Sequence, residues 1–124
     1  MKYRDGDIKQ VLVVNMEVPF PVGRMAAQVS HATELMLINQ GRWDETGFHI
    51  DNPSPELKFW MQESFTDVVV KVWGKKALAK LREECEKAGI PTNTMEEEGW
   101  ETVMSIGPAH WKTLLPITRD LPLW

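Results

Sequence analysis

Arg24, Gln28 and His31 are spaced by four and then three residues. On a helix that spacing sets a cation, an amide and an imidazole along one stripe. Arginine can hold a phosphate or an oxyanion through two donors. A carboxamide can orient water, and imidazole is the usual general base near neutral pH. Each residue also has a plainer reading: a solvated arginine at a helix start, a surface glutamine, a histidine bonded to a backbone carbonyl.

The element before them gives the stripe its setting. A strongly apolar run, Val11-Leu12-Val13-Val14, precedes a short linker holding Pro19 and Pro21. That order reads as buried strand, tight loop, helix. In open α/β sheets ligands bind at the carboxyl ends of the strands. The helix start adds free N–H groups and a positive dipole end, which favour anions.

The chain has 124 residues, the length of one domain spanning 1–124. At that size roughly two-thirds of the unfolded surface can be buried, so a core forms without covalent staples. The 43% hydrophobic and 26% charged fractions are those of a soluble globular protein. One cysteine, Cys85, excludes an internal disulfide and a cysteine-based zinc site. No apolar run reaches membrane-spanning length, and Met1-Lys2-Tyr3-Arg4-Asp5 carries no secretory pattern, so the expected address is cytoplasmic. Fourteen Lys and Arg against eighteen Asp and Glu give a net charge of −4. That balance argues against a stable, broadly basic nucleic-acid binder, while leaving room for a local basic patch.

Periodicity places the remaining elements. Residues 10–16 read as a central strand and 23–40 as a helix, with Ala26, Ala27, Val29, Leu35, Met36 and Ile38 as packing surface. Residues 41–53 read as a connection. Ser54-Pro55 opens a further helix with a cap and an N1 proline. A valine-rich strand covers 66–73 and an amphipathic helix 75–88, with Leu78, Leu81 and Cys85 on its buried stripe. Short strands follow at 92–95 and 102–106, and Pro108 is expected to open a last helix. Helices separate the first three strands, which should therefore be parallel. The gap before the fourth is too short for a crossover, so that strand should be antiparallel. This arithmetic brings Arg24, Glu97 and Thr102 toward one sheet edge.

The segment Gly23-Arg24-Met25-Ala26-Ala27-Gln28-Val29-Ser30-His31-Ala32 resembles the signature of the second, archaeal and eukaryotic type of peptidyl-tRNA hydrolase, Gly-Lys-x-Ala-Ala-Gln-x-x-His-Ala, with Arg24 in place of lysine. Val68-Val69-Val70-Lys71-Val72, Ala88-Gly89-Ile90-Pro91-Thr92, Ile106-Gly107-Pro108 and Ile117-Thr118-Arg119-Asp120-Leu121-Pro122-Leu123 extend the resemblance along most of the chain. It implies a three-layer α/β/α sandwich with a four-stranded mixed sheet, order 2-1-4-3, strand 4 antiparallel. It implies hydrolysis of the ester between a peptide and the 3′-terminal ribose of tRNA, with no metal and no cofactor, and commonly a homodimer.

Carried over position by position, the resemblance makes Arg24, Gln28, His31, Glu97 and Thr102 the catalytic candidates. Glu97 stands for an aspartate in an Asp-Ala-Gly-Arg-Thr loop, and here the pattern departs: Trp100 replaces the arginine and Glu101 the threonine. Glu97 can serve as a base, or Glu96-Glu97-Glu98 can be a solvated acidic hairpin tip. Arg24 and Trp73 are the substrate-binding candidates, Trp73 as a platform for the unpaired terminal adenine. The departures also support a second reading, a catalytically inactive member that binds RNA or protein.

Overall fold

The structure, a computed structural model, describes residues 3–124; Met1 and Lys2, which open the segment read for targeting patterns, lie outside the described residues. In chain order the elements are β1 (Ile8–Asn15), α1 (Val22–Ile38), β2 (Arg42–Asp44), β3 (Gly47–His49), α2 (Pro55–Phe59) running into a π-helical turn (Trp60–Ser64), β4 (Thr66–Val72), α3 (Lys75–Lys87), β5 (Thr92–Glu97), β6 (Trp100–His110) and α4 (Trp111–Thr118). The main sheet has the order β4-β1-β6-β5. Counting only its own strands, that is the predicted 2-1-4-3. β1 runs parallel to β4, and β6 is antiparallel to both β1 and β5.

β1 is central because its residues are apolar on both faces. Val11 and Val13 face one way and pack with Val70, Val72, Met104 and Ile106 against Leu78, Leu81 and Cys85 of α3 and Leu114 of α4. Leu12 and Val14 face the other way and pack with Val103 against Met25 and Ala32 of α1. Ile8 continues that second face toward Met36, Leu57, Phe59 and Trp60. The result is the expected sandwich, α1 and α2 on one side and α3 and α4 on the other. Burial among apolar side chains pushes the Cys85 thiol up to about 11, so it is an inert core group.

Three local expectations need correction. In α1 the buried stripe is Met25, Gln28, Ala32 and Met36, while Ala26, Ala27 and Ile38 face solvent. A buried glutamine occupies the place an apolar residue would take, and the alanines contribute helix propensity instead. Residues 41–53 contain the β2–β3 hairpin. Its three-residue strands are exposed or half-buried and are held by polar links, Arg42 to Asp44 and Asp51 and Thr46 to Asp44. Such strands leave no apolar period to read. Pro108 lies inside β6, where the register against β1 shifts, and α4 starts only at Trp111. His49 sits in β3 and His110 at the end of β6. His110 caps α4 by accepting a hydrogen bond from the Lys112 N–H at 3.1 Å.

Past α4 the chain returns to the outer edge of β4. Lys71 N–H donates to the Pro122 carbonyl, Trp124 N–H donates to the Val69 carbonyl, and Leu123 bridges Val70.

Asn15 ties the loops at the functional end together. Its side chain is buried; Nδ2 donates to the Glu101 carbonyl at 3.0 Å, and Oδ1 accepts from the N–H groups of Glu17 and Gly74 at 3.1 and 3.0 Å. One carboxamide thus joins the strand ends of β1 and β6 to the turn that starts α3. Replacing it strands those backbone groups without partners. Asn15→Leu is expected to lower unfolding free energy by about 3 kcal/mol in urea titrations.

Candidate active site

Phe20 and Pro21 lead the chain from β1 into α1. Pro21 occupies the cap position with extended backbone, and no side chain caps the helix. The Phe20 ring lies under the first turn, 3.7 Å from its centroid to the Arg24 guanidinium carbon. Arg24 reaches from that platform to the β5–β6 hairpin. Its Nε and Nη2 donate to Oε2 of Glu97 at 3.1 and 2.7 Å, and Nη2 also lies 3.1 Å from Oε1 of Glu98. A cation at a helix start opposes the dipole. Two carboxylates delivered from the far edge of the sheet offset that conflict. Glu98 and Gly99 both take positive φ, 51° and 82°, and form the two-residue turn that holds the hairpin.

Gln28 lies one turn further along α1 and is 2% exposed. Its Oε1 accepts a hydrogen bond from the Thr102 hydroxyl at 2.7 Å, and that hydroxyl is also 3.2 Å from the Met95 carbonyl oxygen. A defect in the sheet sets this contact. Met95 pairs with Val103, but Glu96 pairs with Glu101, so β6 carries one extra residue, Thr102. Simple alternation down from Ile106 and Met104, which face α3, would turn Thr102 toward α3 as well. The bulge reverses it, so that Thr102 and Val103 both face α1. Glu101, just before the bulge, points to the other face and pairs with Arg82 at 2.8 Å.

Four of the predicted residues therefore meet: Arg24, Gln28, Glu97 and Thr102. His31 does not join them by contact. Its side chain is half exposed, and Nδ1 lies 3.1 Å from the Glu34 carboxylate, one turn along the helix. Its only link to Glu97 is through space. Trp73 stands at the end of β4, exposed, with the Lys71 ammonium 5.7 Å from its ring centroid. It shares the sheet edge with the cluster, but two strand spacings, about 10 Å, separate β4 from β6.

Sequence reasoning missed Phe20 and Glu98. The acidic run was read as Glu97 in the site or as a solvated tip. The structure turns both Glu97 and Glu98 onto one guanidinium and leaves Glu96 outward. Phe20, set between two prolines at a strand-to-helix corner, was the available signal for an aromatic floor. Phe20 also lines an apolar cavity of 220 Å³ with Val14, Met16, Val22, Met25 and Trp124.

Arg24 holds the Glu97 carboxyl below the usual carboxylate range, first through its hydrogen bonds; the Gln28 amide and the charges of Arg24 and His31 act in the same sense, and partial desolvation opposes them. Glu97 is thus ionised at neutral pH. The Arg24 guanidinium is shifted further up by Glu97 and then Glu98. The arrangement offers an anion-binding donor set, a carboxylate that accepts protons, and a buried amide–hydroxyl pair that can order a water. Among the described residues no cluster of His, Cys, Asp and Glu could hold a metal ion.

The fold and this cluster define an α/β sandwich whose candidate site sits where β1 delivers the start of α1 to the β5–β6 hairpin. The family model of peptidyl-tRNA hydrolase PTH2 matches residues 8–124. A peptidyl-tRNA hydrolase of Halobacterium salinarum is 32% identical over 124 residues, covering 94% of this chain and all of the relative. One from Saccharolobus islandicus is 30% identical over 128 residues, covering 94% of this chain and 98% of the relative. The chain belongs to the PTH2 family of peptidyl-tRNA hydrolases. A solved structure of a protein of unknown function from Agrobacterium shares the fold, with a TM-score of 0.58 at 15% identity over 95% of this chain and 98% of that one.

The Arg24–Glu97 pair carries a pH signature. A carboxylate with a lowered folded value stabilises the protein above the ordinary glutamate range, and that contribution disappears as pH falls through the folded value. In Arg24→Gln the Glu97 carboxyl should titrate closer to the ordinary range, read by carbon NMR. The stability gap between the two proteins should close on acidification.

Proposed function

We propose that this chain, acting as one domain over residues 1–124, hydrolyses the ester that joins a peptide, or an N-blocked aminoacyl group, to the 3′-terminal ribose of tRNA, and so returns free tRNA to translation. The observation that carries the reading is the buried Gln28–Thr102 pair set beside the Arg24–Glu97 ion pair at the sheet edge.

The chemistry divides among the four residues. Gln28 and Thr102 orient a water against the ester carbonyl, at little cost because both are already fixed by burial and by each other. Ionised Glu97 accepts the proton as the water oxygen bonds to the carbonyl carbon. Arg24 donates to the oxyanion that develops on the carbonyl oxygen. Collapse of the tetrahedral species breaks the bond to the ribose 3′ oxygen, which takes up a proton. The products are a peptide carboxylate and a tRNA hydroxyl. The depressed Glu97 value makes it a weak base, so orientation and oxyanion binding supply most of the acceleration. His31, at Coulombic distance, assists Glu97 as the base. The apolar cavity beside Phe20 seats an acyl side chain, and Trp73 offers its exposed face to the terminal adenine.

Two further parts of the reading concern setting. A cytoplasmic address belongs to the same reading; among the described residues no helix is long and apolar enough to cross a membrane. Exposed Trp111, Leu115 and Leu123 border a cavity of 340 Å³ and support association as a homodimer.

An N-blocked aminoacyl-tRNA should be cleaved at an undiminished rate in the presence of chelator. Gln28→Ala and Glu97→Gln should each lower kcat about 100-fold with the fold intact by circular dichroism. Binding of peptidyl-tRNA without cleavage by the natural sequence would instead select the inactive, RNA-binding reading. Trp73→Ala should weaken binding of a CCA-ended oligonucleotide about tenfold; unchanged affinity would remove Trp73 from the site.

A further inference from the structure

The ion pairs around Arg24 are unequal. Glu97 takes two of its donors and is 35% exposed as a side chain. Glu98 shares only Nη2, at 3.1 Å, and its side chain is 64% exposed. Exposed single-contact ion pairs are weak and readily exchanged. The guanidinium also has one face on the Phe20 ring. Its approach from the hairpin side is therefore taken up by two carboxylates against one cation. Glu101 does not add to that excess, because it faces α3 and is matched by Arg82 and Lys75.

We propose that Glu98 is a specificity-determining residue, an internal competitor whose carboxylate shares the Arg24 Nη2 donor against an incoming anionic substrate oxygen. This rests on the hydrolase reading of the site. An incoming phosphate or carbonyl oxygen displaces Glu98 and leaves Glu97 in place as the proton acceptor. The turn residue is suited to that exchange, since its backbone is fixed by the hairpin and its side chain alone has to swing. Glu98 thereby sets the substrate concentration at which the site fills, and the exchange strengthens or weakens with ionic strength.

The test compares Glu98→Gln with Glu96→Gln, which removes the same charge from the neighbouring outward position that makes no contact with Arg24. Inorganic phosphate is titrated against each, read by the nitrogen and proton shifts of the Arg24 Nε–H group, and KM and kcat are measured with N-blocked aminoacyl-tRNA. Glu98→Gln should tighten phosphate binding and lower KM by about two- to fivefold at low salt, with little change in kcat and a gap that closes at high salt. Glu96→Gln should match the natural protein. Equal effects from both variants, or none from either, would overturn the proposal. If no hydrolysis is detected in any of the proteins, the hydrolase reading fails, and the phosphate titration still decides whether Glu98 competes for Arg24.

Discussion

A carboxamide only 2% exposed must make most of its hydrogen bonds inside the protein, and Gln28 puts that demand at the centre of this fold. It sits on the buried stripe of α1, where the packing of Met25, Ala32 and Met36 would otherwise admit an apolar residue. Its partner has to come from the sheet. A regular β6 would present the wrong face at Thr102, so the strand carries an extra residue there. The bulge, the hairpin beyond it and the height of α1 over the sheet are all compatible with one Gln28–Thr102 contact at 2.7 Å. The candidate site is thus bound into the core, and the geometry of its side chains is as rigid as the packing around them.

The second constraint is electrostatic. A helix start without a side-chain cap, carrying an arginine in its first turn, is poorly satisfied on its own. The β5–β6 hairpin supplies the missing negative charge, and Phe20 supplies an aromatic surface for the cation. Because the two carboxylates come from the opposite edge of the sheet from β4, the ion pair also measures whether the sheet has closed correctly. The proposed catalytic groups and the contacts that tie the sheet to α1 are here the same side chains.

Much of this was legible in the sequence. The apolar run of β1, the valines of β4, the spacing of Leu78, Leu81 and Cys85, and the short gap before β6 were enough for layers, strand order and direction. Those are long-period signals produced by large buried areas. The convergence of Arg24, Glu97 and Thr102 also followed from topology alone. What could not be read were features set by one residue's placement. A one-residue bulge leaves no trace in composition. The β2–β3 hairpin is held by charges rather than by apolar alternation. Pro108 was read as a helix opener because proline favours that position, whereas it occupies a register shift within β6. His31 fell on the correct stripe by spacing, yet Glu34 one turn away offers it a nearer partner than the cluster does.

The return of the chain along β4 has a consequence for how the sheet can meet other molecules. With Pro122, Leu123 and Trp124 occupying the hydrogen-bonding positions of Lys71, Val70 and Val69, that side of the sheet is closed to strand addition over this stretch. The opposite side ends in β5, where Glu96 places an outward charge on the exposed rim. Growth of the sheet by adding a neighbour's strand is thus obstructed by backbone pairing on one side and by charge on the other. A contact between copies that leaves the strands in their internal order would have to use the helical faces.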